Sequence, residues 1–472
     1  PDLDLPRGCA DPLRQAPAPP PELFPAERSQ RRPSWERVAA TARCGTGQFV
    51  GGSPRGAAGG PGHAAAAVTT GDSSFWGTVL NIVTGGLGSG ILCLPWAAAG
   101  ATLAPAVAVV GTVLAVNAWT VSILVEAAER NQVFDIGGIL ACLPGSMSSR
   151  LQAFSNVTIW VSMFLCLVGY LVVMFDCAEK ALHRDLEAAG WRPCVLVAAG
   201  ALVVPLCFLD PGRLAFGSAL TIAVNVFIFC LIASDAAGKR WGPADPTLPC
   251  ILRVGSGTVA MVSTMMQCVI IQMCVLPMYH DLRGRSPRKF SHVIGVSFSV
   301  LFLLFTAFSV AGSVAYGPAV RSNVLKNLPE GAPGTIAQAL MVLAIAAVYP
   351  IMLMPMVAPI KTSASLARYQ KPITVVIGVC SVVVACFVDD LGALNVVNGC
   401  LCVGVFVGVI PAVVGVFFAD QTRAVMTALA TGCTLLGVLG FFFTDNYPPC
   451  DIDKRHADAW VVVQCWCTIS SR

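Results

Sequence analysis

The densest group of chemically useful positions in this chain is backbone rather than side chain. In VTGGLGSGILCLPW, from Val83 to Trp96, glycines stand at 85, 86, 88 and 90 and a proline at 95. An interior glycine costs a helix about 1 kcal/mol relative to alanine and an interior proline about 3 kcal/mol, so this apolar run is predicted to stop and restart as helix. The amides of Leu87, Gly88, Ser89 and Gly90 are then released from helical pairing. Together with the positive end of the restarting half-helix they face one point. Glycine lets a bound group approach the backbone closely. Such a place suits a carboxylate, because it offers several neutral donors and a dipole without putting a full charge into an apolar setting. The competing explanation is close helix packing through a GxxxG-like pair, Gly86 with Gly90. Packing accounts for two of the glycines and leaves the other two and Pro95 without a role.

Two further stretches carry related chemistry. In VSTMMQCVIIQMCVLPMYHDLRGRSPRK, Gln267 and Gln272 are the polar groups of an apolar run that Pro277 is predicted to interrupt. In AAVYPIMLMPMVAPIK, Pro350, Pro355 and Pro359 recur every four or five residues. Each proline removes an amide donor and frees an earlier carbonyl, which a cation or a neighbouring helix can meet; a kinked, inert helix is the alternative. No Ser/His/Asp set or metal-ligand cluster stands out, so neither a catalytic residue nor a metal site is expected. The pairs Cys400 with Cys402 and Cys465 with Cys467 lack the four-ligand spacing of a zinc site.

These stretches must be held by membrane-spanning helices. Of the 472 residues, 56% are hydrophobic and 12% charged, against about 25% charged in ordinary soluble domains. A hydrocarbon core about 30 Å thick needs roughly 20 apolar residues per helix. Segments of that kind fall near 76–98, 103–125, 154–176, 193–209, 214–234, 256–279, 293–315, 335–358, 372–388, 395–418 and 424–443, eleven in all. Paired breaks in the first and sixth are what two inverted five-helix repeats require, and interrupted spans point to a transporter's binding site. The domain layout predicted is a disordered, Pro/Gly/Arg-rich cytosolic arm over 1–74, a membrane domain over 75–443 and a short polar tail over 444–472. Within the membrane domain the repeats run over about 75–236 and 255–418, followed by one extra helix, 424–443.

Charge narrows the function classes. Basic residues sit mostly at segment ends, and their bias places the N-terminus in the cytosol. No basic run with interleaved aromatics suggests a nucleic-acid partner. No predicted span carries a mid-depth Asp, Glu, Lys or Arg, which argues against a voltage-gated channel or a carboxylate-driven pump.

Five stretches, GSGILCLPWAAAGA, VGYLVVMFDCAEKAL, FLDPGRLAFGSAL, VLPMYHDLRGRSPRKF and YPIMLMP, occur in this order and resemble the amino acid/auxin permease family. The likeness is to its sodium-coupled neutral amino acid transporters and vacuolar amino acid transporters, over about residues 75–443. It implies an all-α integral membrane protein of eleven helices, with a LeuT-type core of two inverted five-helix repeats and one extra helix. It also implies secondary transport of amino acids by alternating access. On that resemblance Gly88, Ser89, Gly90 and Ile91 hold the α-carboxylate and α-amine of the substrate. Tyr170 reaches the same carboxylate, and the break of the sixth span maps to Gln272, Met273 and Cys274.

Departures from the family pattern bear on the coupling ion. Thr84 stands where sodium-coupled members have Asn, Val348 where they have Thr, and Gln272 and Cys274 where they often have a His and an acidic residue. Losing oxygen ligands weakens a sodium site, so H+ coupling or facilitated exchange is expected rather than Na+ coupling. Asp176 and His280 are read first as interfacial groups, with proton carriage as the alternative for each. The expectation is a multi-pass carrier of small neutral amino acids, not an enzyme, with no cofactor beyond a coupling ion. It lies in the plasma membrane or a vacuolar or lysosomal membrane, with the bilayer and the amino acid as its partners. The alternatives are a sodium-coupled symporter, a channel, and a sensor that binds an amino acid without transporting it.

Overall fold

In lipid, every backbone amide and carbonyl has to find its partner within the protein, which leaves helix as the form for long apolar runs. The computed structural model describes residues 73–87, 89–182, 186–209, 216–239, 256–362 and 367–442, and no strand forms among them. The predicted arm, except its last two residues, and the predicted tail lie outside the described residues.

The first span is built from α1 (Phe75–Gly86), a 3-10 turn (Ser89–Cys93) and α2 (Leu94–Ala101). Then come α3 (Leu103–Asn131), the short α4 (Ile136–Ala141), α5 (Ser146–Ala181), α6 (Arg192–Leu206) and α7 (Phe216–Gly238). The second half opens with another broken pair, α8 (Ser256–Cys268) and α9 (Gln272–His280). It continues through α10 (Pro287–Tyr316), α11 (Ala332–Thr362) and α12 (Gln370–Ala385). The last elements are α13 (Leu391–Cys402), which runs through a π-helical turn (Val403–Val409) into α14 (Ile410–Phe418), and α15 (Arg423–Phe442).

All eleven predicted segments carry helix. Eight spans among the described residues are long and apolar enough to cross a membrane, nine when the bent α1–α2 pair counts as one. The other two, α6 and α12, are apolar but have 15 and 16 residues.

The two breaks have different local causes. α1 starts on a Ser74 cap, whose hydroxyl accepts from the Gly77 amide, and ends where the Leu87 N–H turns back onto the carbonyls of Val83 and Thr84, 3.1 Å each. α2 restarts with Pro95 in its first turn, where the missing N–H costs nothing, and lies 51° off the line of α1. The second break is not at Pro277, which sits inside α9. It falls at Val269–Ile271, three consecutive β-branched residues whose stiff side chains disfavour helix. Gln272, Met273 and Cys274 therefore form the first turn of α9 rather than the break itself. α11 runs as helix past Pro350, Pro355 and Pro359, so those prolines do not interrupt the span.

Glycine sets how closely the half-helices pack. A Cβ on Gly399 of α13 would lie 1.8 Å from the Ser263 carbonyl oxygen of α8, and one on Gly257 of α8 would lie 2.0 Å from the Gly100 oxygen of α2. On Gly312 of α10 it would meet Pro95 at 2.4 Å. Half-helix α8 is thus wedged against α2 and α13, with α10 backing α2. Gly399→Val should force α13 off α8 and destabilise the fold by about 1–3 kcal/mol or more. Gly295→Ala, whose Cβ would meet nothing within 4 Å, should leave the melting temperature unchanged or raise it. Thermal melts of the purified proteins compare the two.

Candidate functional site

The two breaks touch. A Cβ added to Gly90 would fall 2.9 Å from Cys268 Sγ and 3.4 Å from Cys268 Cα, so the 3-10 turn of the first break rests on the last residue of α8. Glycine is required for that approach. Every stub of the broken first span is also tied to a neighbour. Ser297 and Ser313 of α10 donate to the carbonyls of Val79 and Pro95, at 3.5 and 3.4 Å. Asn395 Nδ2 of α13 donates to Cys93 Sγ at 2.9 Å. Asn225 Nδ2 of α7 donates to the Leu87 carbonyl at 3.2 Å.

Two of the sequence-selected residues lie at this contact. Gly90 forms the contact, and Ile91 beside it is buried. Gly88 and the Ser89 side chain lie outside the described residues. Tyr170 is buried in α5, where the neighbouring Gly169 faces Leu391 and Leu394 of α13. Gln272 is fully buried, but its carboxamide is turned away to α3, with Nε2 donating to Asn117 Oδ1 at 2.5 Å. What it offers the second break is its backbone amide, in a first turn where helical N–H groups have no intrahelical acceptor. Cys274 is half-buried in the same turn.

The candidates for ion coupling are dispersed. The Thr84 hydroxyl donates to the Leu80 carbonyl of its own helix at 2.7 Å. Val348 is a half-buried hydrocarbon in α11. Asp176 and His280 lie at opposite ends of the bundle. Asp176 is 3% exposed and paired with Lys326 at 2.7 Å, while His280 pairs with its exposed neighbour Asp281.

Side-chain amides in apolar helices are what the sequence reasoning passed over. Asn398 Nδ2 of α13 donates to the Ser162 carbonyl at 3.2 Å and to Cys166 Sγ at 3.4 Å, and Gln267 Nε2 donates to the same sulfur at 3.2 Å. This links α5, α8 and α13 one turn before Tyr170. Asn117 and Asn225 each stand as the one amide of an apolar run, and Asn398 shares its helix with Asn395. Their place among apolar residues is itself the signal, since a polar group in lipid must be satisfied by a neighbouring helix.

Comparison with known proteins places the chain in a family. Residues 71–444 match the family described as transmembrane amino acid transporter protein. The chain belongs to that family. As a member it is a multi-pass membrane protein of a transporter family, not of an enzyme family. It is similar to the amino acid transporter AVT6E of Arabidopsis thaliana, 23% identical over 282 residues, and spans 55% of that relative's length with 55% of its own. It is also similar to the sodium-coupled neutral amino acid symporter 2 of Danio rerio, 21% identical over 413 residues, 79% of this chain and 80% of that one. Among solved structures, an Eremococcus coleocola manganese transporter aligns with a TM-score of 0.49 at 10% identity, over 80% of this chain and 89% of that one.

In this transporter-family chain polar contacts tie neighbouring elements together at both ends of the bundle. At one end Ser73 bridges to the turn after α9, its N–H on the Asp281 carbonyl at 3.0 Å and its carbonyl receiving the Arg283 N–H at 2.9 Å. Beside it Tyr279 donates to Glu129 at 2.7 Å, and Arg285 lies over the Phe134 ring. At the other end Lys326 and Asn323, in the connection before α11, hold the buried Asp176 of α5; the Asn323 amide donates to it at 2.9 Å. Desolvation pulls the Lys326 ammonium down, but the carboxylates of Asp176 and Glu179 outweigh it, and it titrates above the ordinary 10.5. A raised lysine pKa stabilises the fold fully below the unfolded value and loses that contribution only as pH climbs through the folded one. Melting between about pH 6 and pH 9 should therefore show no step from the Lys326 ammonium. Lys326→Met should cost about 3–5 kcal/mol by stranding Asp176, and adding Asp176→Asn should recover much of it; melts of the single and double variants test both.

Proposed function

We propose that this chain is a secondary transporter of small neutral amino acids, working by alternating access and either coupled to protons or facilitative. The contact of Gly90 with Cys268, which brings the two broken spans together, is the observation that carries the proposal. Two half-helix ends meeting in an apolar interior offer backbone donors to a carboxylate and carbonyls to an amine. Gly88, Ser89, Gly90 and Ile91 would hold the two backbone groups of the substrate, with Tyr170 and the first turn of α9, Gln272 to Cys274, around them. The described ion pairs lie at the ends of the bundle. The breaks carry no fixed charge to match a charged substrate side chain, which favours neutral amino acids. The closed contacts at Ser73 and at Lys326 are then the two gates, opened one at a time.

The N-terminus is placed in the cytosol, and the membrane is that of the cell surface or of a vacuole or lysosome. The repeats divide the domain at about 75–236 and 255–418, with 424–443 as the extra helix. A second hypothesis, sodium-coupled symport, is favoured by the likeness to the sodium-coupled symporter of Danio rerio.

Uptake by the reconstituted full chain tests this. Labelled neutral amino acids should enter proteoliposomes saturably and be competed by other neutral amino acids. Gly90→Val, which cannot seat against Cys268, should lower uptake at least about tenfold in protein that still elutes as a single species. Unchanged flux in that variant overturns the site, binding without flux makes the chain a sensor, and non-saturating flux makes it a channel.

A further inference from the structure

The end of α1 raises a question that the transport proposal leaves open. Where a helix stops in an apolar interior its last carbonyls have lost their helical donors. Such oxygens are met either by a hydrogen-bond donor or by a cation, and in broken-helix carriers the ends of half-helices are where coupling ions sit. Which of the two occupies the place decides whether the carrier is tied to an ion.

Here a donor occupies it. Asn225 stands in the middle of α7, in LTIAVNVFIFCLIA, and is 4% exposed. Its Nδ2 donates to the Leu87 carbonyl across the break at 3.2 Å and to the Thr221 carbonyl of its own helix at 2.9 Å. Two carbonyls on one nitrogen fix which way the amide faces, and they leave its oxygen, Oδ1, buried with no hydrogen-bond partner. An orphaned buried acceptor is costly. A cation held between the two carbonyls would have reversed the preference, drawing Oδ1 towards it as a third ligand. The arrangement at hand keeps the N–H groups on the carbonyls instead.

Three neighbouring oxygens are also committed elsewhere. The Val83 and Thr84 carbonyls accept from the Leu87 amide, and the Thr84 hydroxyl donates to Leu80. Position 348, on the helix packed against α7, is a valine and has no side-chain oxygen to give.

We infer that Asn225 supplies at the first break the positive pole that a bound sodium ion would otherwise supply, so that this carrier operates without sodium. The inference rests on the transport proposal for its meaning. Its logic is one of linkage: a donor built into the chain never dissociates, so the geometry of the break does not depend on sodium concentration.

The test reads sodium rather than flux, so its failure is distinguishable from failure of the transport proposal. Purified full-length protein is melted in sodium chloride and in choline chloride at equal ionic strength, and binding of radiolabelled sodium is measured alongside. Wild type should melt alike in the two salts and bind no sodium. Asn225→Asp keeps the shape and, melted at alkaline pH so that sodium rather than a proton must balance it, turns a carboxylate oxygen onto the two carbonyls, a contact that then needs a cation between them. It should gain a sodium-specific rise in melting temperature of about 3 °C or more, together with saturable sodium binding. Asn225→Leu, which removes both the donor and the oxygen, should melt lower and gain no response to sodium, the result a purely structural role would give both variants. Sodium-specific stabilisation or sodium binding by wild type overturns the inference, and so does an Asn225→Asp protein that ignores sodium. If neither variant folds, the wild-type measurement decides alone.

Discussion

Backbone polar groups freed inside an apolar medium must be satisfied by something, and this fold is organised around that demand. Each of the two breaks releases amides on one side and carbonyls on the other, with no water to take them. Of the polar side chains that reach the first span from intact helices, Asn225 of α7 meets a carbonyl at the break itself, while Ser297 and Ser313 of α10 meet helical carbonyls of α1 and α2 and Asn395 of α13 meets the Cys93 thiol. The intact helices thereby hold the broken ones in register, and the amides left over are those available to a ligand. Charge is kept to the ends of the bundle, where Lys326 and Arg285 hold carboxylates close to solvent.

Most of this organisation was legible in the sequence because its physical causes are local. Four glycines and a proline in one apolar run announce a break at 85–90 through backbone propensity alone. The same kind of reasoning misplaced the second break, because Pro277 is a louder signal than Val269-Ile270-Ile271. A proline in the second turn of a short helix removes one bond, whereas the β-branched run follows directly on Cys268, the residue packed against Gly90. The prolines of α11 mislead for the same reason, since neighbouring helices stabilise a span that propensity alone would interrupt.

What the sequence did not reveal depends on pairing across the bundle. A lone Asn in an apolar helix is visible, but its partner is not: nothing in TIAVNVF says that residue 225 meets the carbonyl of residue 87. The same holds for Asn117 with Gln272. Gln272 was expected in the break of the sixth span, and the structure places it in the first turn of α9 with its carboxamide turned towards α3. Asp176 looked interfacial because it stands at the end of a span, yet it is buried, because a lysine about 150 residues later folds back to meet it.

The wedge at Gly399 and Gly257 has a mechanical consequence. With Gly399 lying against the Ser263 carbonyl oxygen and Gly257 against the Gly100 oxygen, α8 has no clearance to slide along either neighbour. The half-helices α2 and α8 and the first part of α13 therefore translate as one solid block. Any rearrangement that exposes the breaks has to hinge outside that block, at the flexible joints it leaves: the 3-10 turn behind α2, the Val269–Ile271 gap and the π-helical turn beyond α13.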